Sequence, residues 1–170
     1  ALAMGLCLGQ PAADLLEGLA SFQGAGRRFE LKASIAGIRV IDDYGHHPTE
    51  IHATLEMART FAGQGRVLTI FQPHRYSRTQ AFSEGFAASL SASDHTYLLE
   101  IYPASESPIP GITSSLISSK MKSESVTYEP SMPTVVEMVA KEARSGDVII
   151  TLGAGDVSAL GKLIIEALSV

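Results

Sequence analysis

Hydrophobic positions along the chain follow two alternating rhythms. The runs RVLTIF (66–71) and DVIITL (147–152) are apolar almost throughout, as strands covered on both faces require. Ahead of the first, Ile51, Leu55, Ala58 and Ala62 share one face of a helix that Pro48 opens and the glycines of 63–65 stop. The same reading predicts strands at 29–34 and 38–41, joined as a hairpin by Ala36-Gly37. It continues with a helix at 79–90, a strand at 95–99 and a Pro/Ser loop at 105–111. A helix at 112–122, a strand at 126–128, a helix at 135–143 and, after the turn 153–156, a last helix at 157–168 complete it. Ahead of the hairpin, 1–19 reads as a helix broken at Gln10-Pro11, and 23–26 as a hinge. Its apolar opening, ALAMGLCLG, has no basic residues before it and reads as the end of a buried helix rather than a signal peptide. Alternating strands and helices predict an α/β fold, a mostly parallel sheet flanked by helices with an N-terminal β-hairpin.

Composition narrows the function classes. The chain has 170 residues, 45% of them hydrophobic, enough for one packed domain with a piece of a neighbouring one. A formal net charge of -5 argues against general binding to nucleic acid or anionic membranes. Cys7 is the single cysteine, so neither an internal disulfide nor a cysteine metal cage is available. No apolar run reaches transmembrane length. The absence of an initiator methionine fits a piece of a longer protein.

In open parallel sheets, ligands bind beyond the carboxyl ends of the strands. Four polar segments fall there: 42–47 (DDYGHH), 72–78 (QPHRYSR), 100–103 (EIYP) and 153–156 (GAGD). They should emerge on one edge. Arg75 and Arg78, three apart, suit a carboxylate or phosphate; the plainer alternative is solvation or pairing with Asp42 or Glu50. His46-His47 lacks metal-site spacing; a hydrogen-bonding role near phosphates or an amine, or a helix cap for His47, fits better. Asp43 could meet ribose hydroxyls or a magnesium ion, or only bond the backbone of its turn. The glycines of GAGD read as a tight strand-to-helix turn, with phosphate binding as the alternative. No GxxxxGK[ST] loop and no nucleophile elbow occur in the chain.

GRRFE, DDYGHHPTEI, FQPHRYSRT, IYPA and GAGD, in this order, resemble the C-terminal domain of the Mur ligases. FQPHRYSRT points to the members that add L-alanine to UDP-N-acetylmuramate (UDP-MurNAc). The resemblance implies a Rossmann-like domain over 24–170 and, at 1–23, the end of the family's central ATP-binding domain. It implies a cytoplasmic bacterial enzyme that uses ATP and Mg2+, held mainly by domains outside this chain. That enzyme joins L-alanine to UDP-MurNAc through an acyl phosphate, in peptidoglycan synthesis. By the same resemblance, Arg28 and Asp43 face the nucleotide. His46 lies near the phosphates and amine, with a catalytic role. Tyr44, His46, His74, Arg75 and Arg78 surround L-alanine, and no residue here is a metal ligand. Lacking the P-loop, the chain alone is expected to be inactive. Glu100 and Ser105 depart from the family's pattern, which has aspartate and glycine there. Two alternatives stand beside this reading: a relative that recycles murein tripeptide, and a non-catalytic nucleotide- or anion-binding module.

Overall fold

The structure, a computed structural model, describes residues 2–21 and 25–169. The first half of the expected hinge at 23–26 therefore lies outside the described residues, and with it the expected domain boundary.

Six strands form one sheet in the order β1-β2-β6-β3-β4-β5. They are β1 (Glu30–Ile35), β2 (Ile38–Asp43), β3 (Val67–Phe71), β4 (His95–Leu98), β5 (Val126–Tyr128) and β6 (Val148–Leu152). Only β1 runs antiparallel, hairpinned to β2 through Ala36 and Gly37, which both have positive φ. Helices are α1 (Leu2–Cys7), α2 (Ala12–Ser21), α3 (Pro48–Ala62), α4 (Tyr76–Leu90), α5 (Ser115–Ser118), α6 (Met132–Glu142) and α7 (Leu160–Leu168).

Alternation along the central strands builds two cores. From β6, Val148, Ile150 and Leu152 meet Ile51, Leu55 and Ala58 of α3 and Phe86 and Leu90 of α4. Ile149 points the other way, into a core with Val135 and Val139 of α6 and Leu160 and Ile164 of α7. Because β6 and β3 are inner parallel strands with helices on both faces, their near-continuous apolar runs are all buried.

Two expectations need correction. The helix expected at 112–122 is only the single turn α5. Serine side chains there bond their own backbone, Ser118 to the Ser115 carbonyl and Ser119 to that of Leu116, and so compete with helix continuation. The last helix begins three residues late, after a 3-10 turn at Asp156–Ala159. At the chain's opening α1 buries no residue within this chain, and Leu2, Met4, Leu6 and Leu8 are exposed. It packs on α2, where Gly5 leaves room for the Leu15 side chain.

Candidate functional site at the strand ends

Parallel register aligns the carboxyl ends of β2, β6, β3 and β4, so the four polar segments do share one edge. A row of rings crosses it. Tyr44 meets His46 edge-on with centroids 5.1 Å apart; His46 lies 5.9 Å from His74; and Tyr102 stacks on His74 at 5.6 Å with planes 16° apart. Between β2 and β3 the row passes the end of β6, where Gly153, Ala154 and Gly155 offer little side-chain bulk.

At the β2 end, α3 fixes the loop. His47 caps α3, its Nδ1 accepting from the Thr49 N–H at 3.4 Å, and Glu50 accepts the N–H groups of His46 (3.0 Å) and His47 (3.2 Å). The capping role set beside ligand binding for His47 is thus present. Burial works to raise the Glu50 carboxyl, but those N–H groups and the His46 ring outweigh it and hold it below the usual range. The Nδ1 of His46 lies 3.0 Å from the Tyr44 carbonyl, which can only accept. Nδ1 therefore carries the proton in the neutral ring, and Nε2 keeps its lone pair.

Asp43 is buried and its oxygens are in use: Oδ2 accepts from Phe29 N at 2.7 Å, Oδ1 from Gly45 N at 2.8 Å and Thr54 Oγ1 at 3.2 Å. This is the local turn-bonding role set beside ribose binding. Asp42 is buried too, held by Thr151 Oγ1 (2.7 Å) and by Arg27 Nε (2.9 Å). Asp42, one of the two carboxylates offered as an alternative partner for Arg75 or Arg78, thus pairs with Arg27. Arg27 also donates to the Gly153 carbonyl at 2.5 Å, tying the hairpin to β6. The guanidiniums of Arg27 and Arg28 lie 5.1 and 5.6 Å from the Tyr44 ring centroid. Arg28 itself is exposed.

At the β3 end, Gln72 is buried and locks the β6 turn: its Nε2 donates to Asp156 at 2.7 Å and its Oε1 accepts from Val157 N. Gly153, at φ 144°, has the Gln72 carbonyl 2.7 Å from where a Cβ would stand. GAGD is therefore the tight turn its glycines suggested. Arg75 precedes α4 with φ 77° and ψ 138°, a backbone state costly for a residue with a Cβ. Arg78 lies in the first turn of α4. Among the described residues neither arginine has an ion-pair partner, and Arg78 Nη1 is buried without a hydrogen bond. His74 Nδ1 is buried and unpartnered as well. Burial, followed by the charges of Arg78, His46 and Arg75, pushes the His74 imidazole below its ordinary value; Glu106 works weakly the other way.

Glu106 receives the Ser77 N–H (3.0 Å) and hydroxyl (2.6 Å) at the start of α4, which with the Arg75 charge keeps it ionised to lower pH than usual. It comes from a loop in which Ala104 and Ser105 both have positive φ. Ser105 thus stands where a glycine, the residue the resemblance led us to expect, would be unstrained. Glu100, the other departure, has a structural use. It accepts from Ile101 N, Ser114 N and Ser114 Oγ, and from the Tyr128 hydroxyl, whose pKa burial and this bond push up to about 12.

Sequence reasoning chose Arg28 of the GRRFE pair and missed Arg27, Gln72 and Tyr102. Their signals were the arginine doublet, the polar residue ending an apolar run, and the aromatic in IYPA. Among the described residues no group of three His, Cys, Asp or Glu is placed to hold a metal, and Asp43 has its oxygens committed to the protein. These carboxylates do not fit a resident magnesium ion.

An open parallel sheet with a cationic, ring-lined edge at its strand ends is the architecture of α/β domains that bind ligands on that edge. Comparison with known proteins narrows the class. The family described as "Mur ligase, glutamate ligase domain" matches residues 27–155. The chain is 48% identical over 167 residues to the UDP-N-acetylmuramate–L-alanine ligase of Saccharopolyspora erythraea, covering 97% of this chain and 34% of that protein. The enzyme of that name from Mycolicibacterium smegmatis is 49% identical over 163 residues, 95% of this chain and 34% of its own length. Among solved structures, UDP-N-acetylmuramate-alanine ligase from Thermotoga maritima superposes with a TM-score of 0.82 at 27% identity, over 99% of this chain and 36% of that one. The chain belongs to the Mur ligase family and is its C-terminal domain; it spans about a third of the length of the curated relatives it matches.

Proposed function

We propose that the parent protein is an ATP-dependent ligase that joins L-alanine to UDP-N-acetylmuramate, and that this domain presents the amino acid and part of the nucleotide site. ATP would phosphorylate the lactyl carboxylate. The alanine amine would attack the acyl phosphate, and ADP and phosphate would leave. Magnesium and most of the ATP contacts are assigned to parts of the parent outside this chain.

The observation that carries the reading is the unpaired arginine pair beside a ring of low basicity: Arg75 and Arg78 next to His74. A neutral His74 adds no charge of its own, and its lone pair or N–H can bond the substrate. The arginines offer charge-assisted hydrogen bonds to the alanine carboxylate. Across the ring row, His46 holds a free Nε2, suited to accept a proton from the amine as the amide forms. Tyr44 and Arg28 border the same loop and are assigned to alanine and to the nucleotide respectively. Asp43 is assigned to the nucleotide side; its committed oxygens support an indirect role, through the Gly45 N–H and the loop it shapes. Holding amine and acyl phosphate together supplies much of the rate in such a reaction.

The test is ADP release by the full-length parent with ATP and Mg2+. Release that needs both UDP-N-acetylmuramate and L-alanine supports the assignment. Release that needs a muropeptide instead transfers it to a recycling ligase, and nucleotide binding without any release leaves a binding module.

A further inference from the structure

We propose that Tyr102 is a positioning residue for the amino-acid subsite, its ring setting the plane of His74 and its main chain setting Arg75, with Gly155 providing the space behind it. This rests on the functional reading above. Beyond the last residues of β3 and β4, the two chains continue to pair: Tyr102 N donates to the Pro73 carbonyl (2.8 Å), and Arg75 N donates to the Tyr102 carbonyl (2.8 Å). That second bond holds the amide of the residue with the costly φ of 77°, so Tyr102 fixes the direction in which the Arg75 side chain leaves the backbone. The Tyr102 ring lies nearly parallel to His74, covering one of its faces. Behind the ring stands Gly155. A Cβ there would lie 2.4 Å from Gln72 Oε1, 2.7 Å from Tyr102 Cγ and 2.9 Å from its Cβ, so a larger residue crowds both the ring and the Gln72 amide. A strand extension, a ring stack and a glycine, contributed by three loops, converge on one side chain.

Two measurements test it. In the parent enzyme, Tyr102→Ala is expected to raise the alanine KM about tenfold while leaving the ATP KM within about twofold, and Tyr102→Phe to behave as the wild type. In the chain with 15N-labelled histidines, Tyr102→Ala is expected to move the titration of His74 up toward the ordinary histidine range, and Tyr102→Phe not to move it. The groups facing His74 that set its starting point, Arg75, Arg78, His46 and Glu106, are unchanged in both variants. Tyr102→Leu keeps bulk over Gly155 but has no flat face, and gives the same readings if Tyr102→Ala does not fold. An unmoved His74 titration, or a Tyr102→Phe enzyme as impaired as Tyr102→Ala, overturns the proposal. A moved titration in a parent that releases no ADP with alanine overturns the ligase assignment and leaves the positioning role standing.

Discussion

Arg75 and Arg78 have no carboxylate partner among the described residues, although Glu106 in a neighbouring loop and Glu50 in the first turn of α3 bond main-chain N–H groups. If the pair holds a substrate carboxylate, Arg78→Ala in the parent raises the alanine KM about tenfold or more, since a lost hydrogen bond to a charged group costs roughly 1.5–3 kcal/mol. ATP binding should be largely kept; an unchanged alanine KM removes the arginines from that role. His74 gives a second prediction. Its folded imidazole protonates below the ordinary value of 6.5, whereas the unfolded chain takes up its proton near 6.5. This group's contribution to stability is therefore intact above that pH and declines as pH falls through 6.5 toward the folded value. Substitution of His74 by Gln should flatten that part of a stability-versus-pH curve measured by urea unfolding.

At the scale of elements, the end of the sheet opposite the site is tied by charge. Arg66 bonds Asp147 (Nη2 to Oδ2, 2.7 Å) and Glu142 (Nη1 to Oε1, 2.9 Å), and Glu142 also accepts from the Tyr97 hydroxyl, joining β3, β4, α6 and β6. Burial favours the neutral Asp147 carboxyl, but the Arg66 side chain and the N–H groups of Arg144 and Arg66 overcome it and hold its pKa below 3.8. The stabilisation is thus present above pH 3.8 and is lost as pH falls below it. Asp147→Asn is expected to cost about 2 kcal/mol at pH 7, a difference from wild type that narrows below pH 3.8 in urea unfolding. Elements made by a clear rhythm were legible in the sequence: α3 shows its stripe and its Pro48 start, and β3 and β6 show unbroken apolar runs. The stretch 112–122 was not, because its spacing of Ile112, Leu116 and Ile117 suggests a helix while its serines satisfy the backbone locally.

For the whole molecule, two cores back to back across a six-stranded sheet predict cooperative unfolding, with Ile164→Ala, between α7 and the sheet, costing about 2–5 kcal/mol in the same assay. The candidate site lies along one edge of this sheet and draws on the ends of several strands. With no GxxxxGK[ST] loop in the sequence, the chain alone should fold yet release no ADP with any combination of substrates. Steady release by the isolated chain would show that a nucleotide site was overlooked. Among the described residues no helix is long and apolar enough to cross a membrane.

By itself the sequence determined the alternation of elements, the hairpin and the four polar segments that follow strands, because periodicity and turn residues are local properties of the chain. Its motifs also carried the family. Tertiary structure decided which of the polar residues are spent on the fold. Asp42, Asp43 and Gln72 look as available in the sequence as Arg75 and Arg78, yet their oxygens and amides close the gaps between β2, β6 and the turns beside them. Only strand order could reveal this: β6, last in the sequence, lies between β2 and β3, bringing Gly153 and Gly155 against residues between 53 and 126 positions earlier. Buried polar groups must find partners wherever the topology places them. On that edge Arg78 Nη1 and His74 Nδ1 remain buried without partners among the described residues, and they are the atoms to which we assign a ligand.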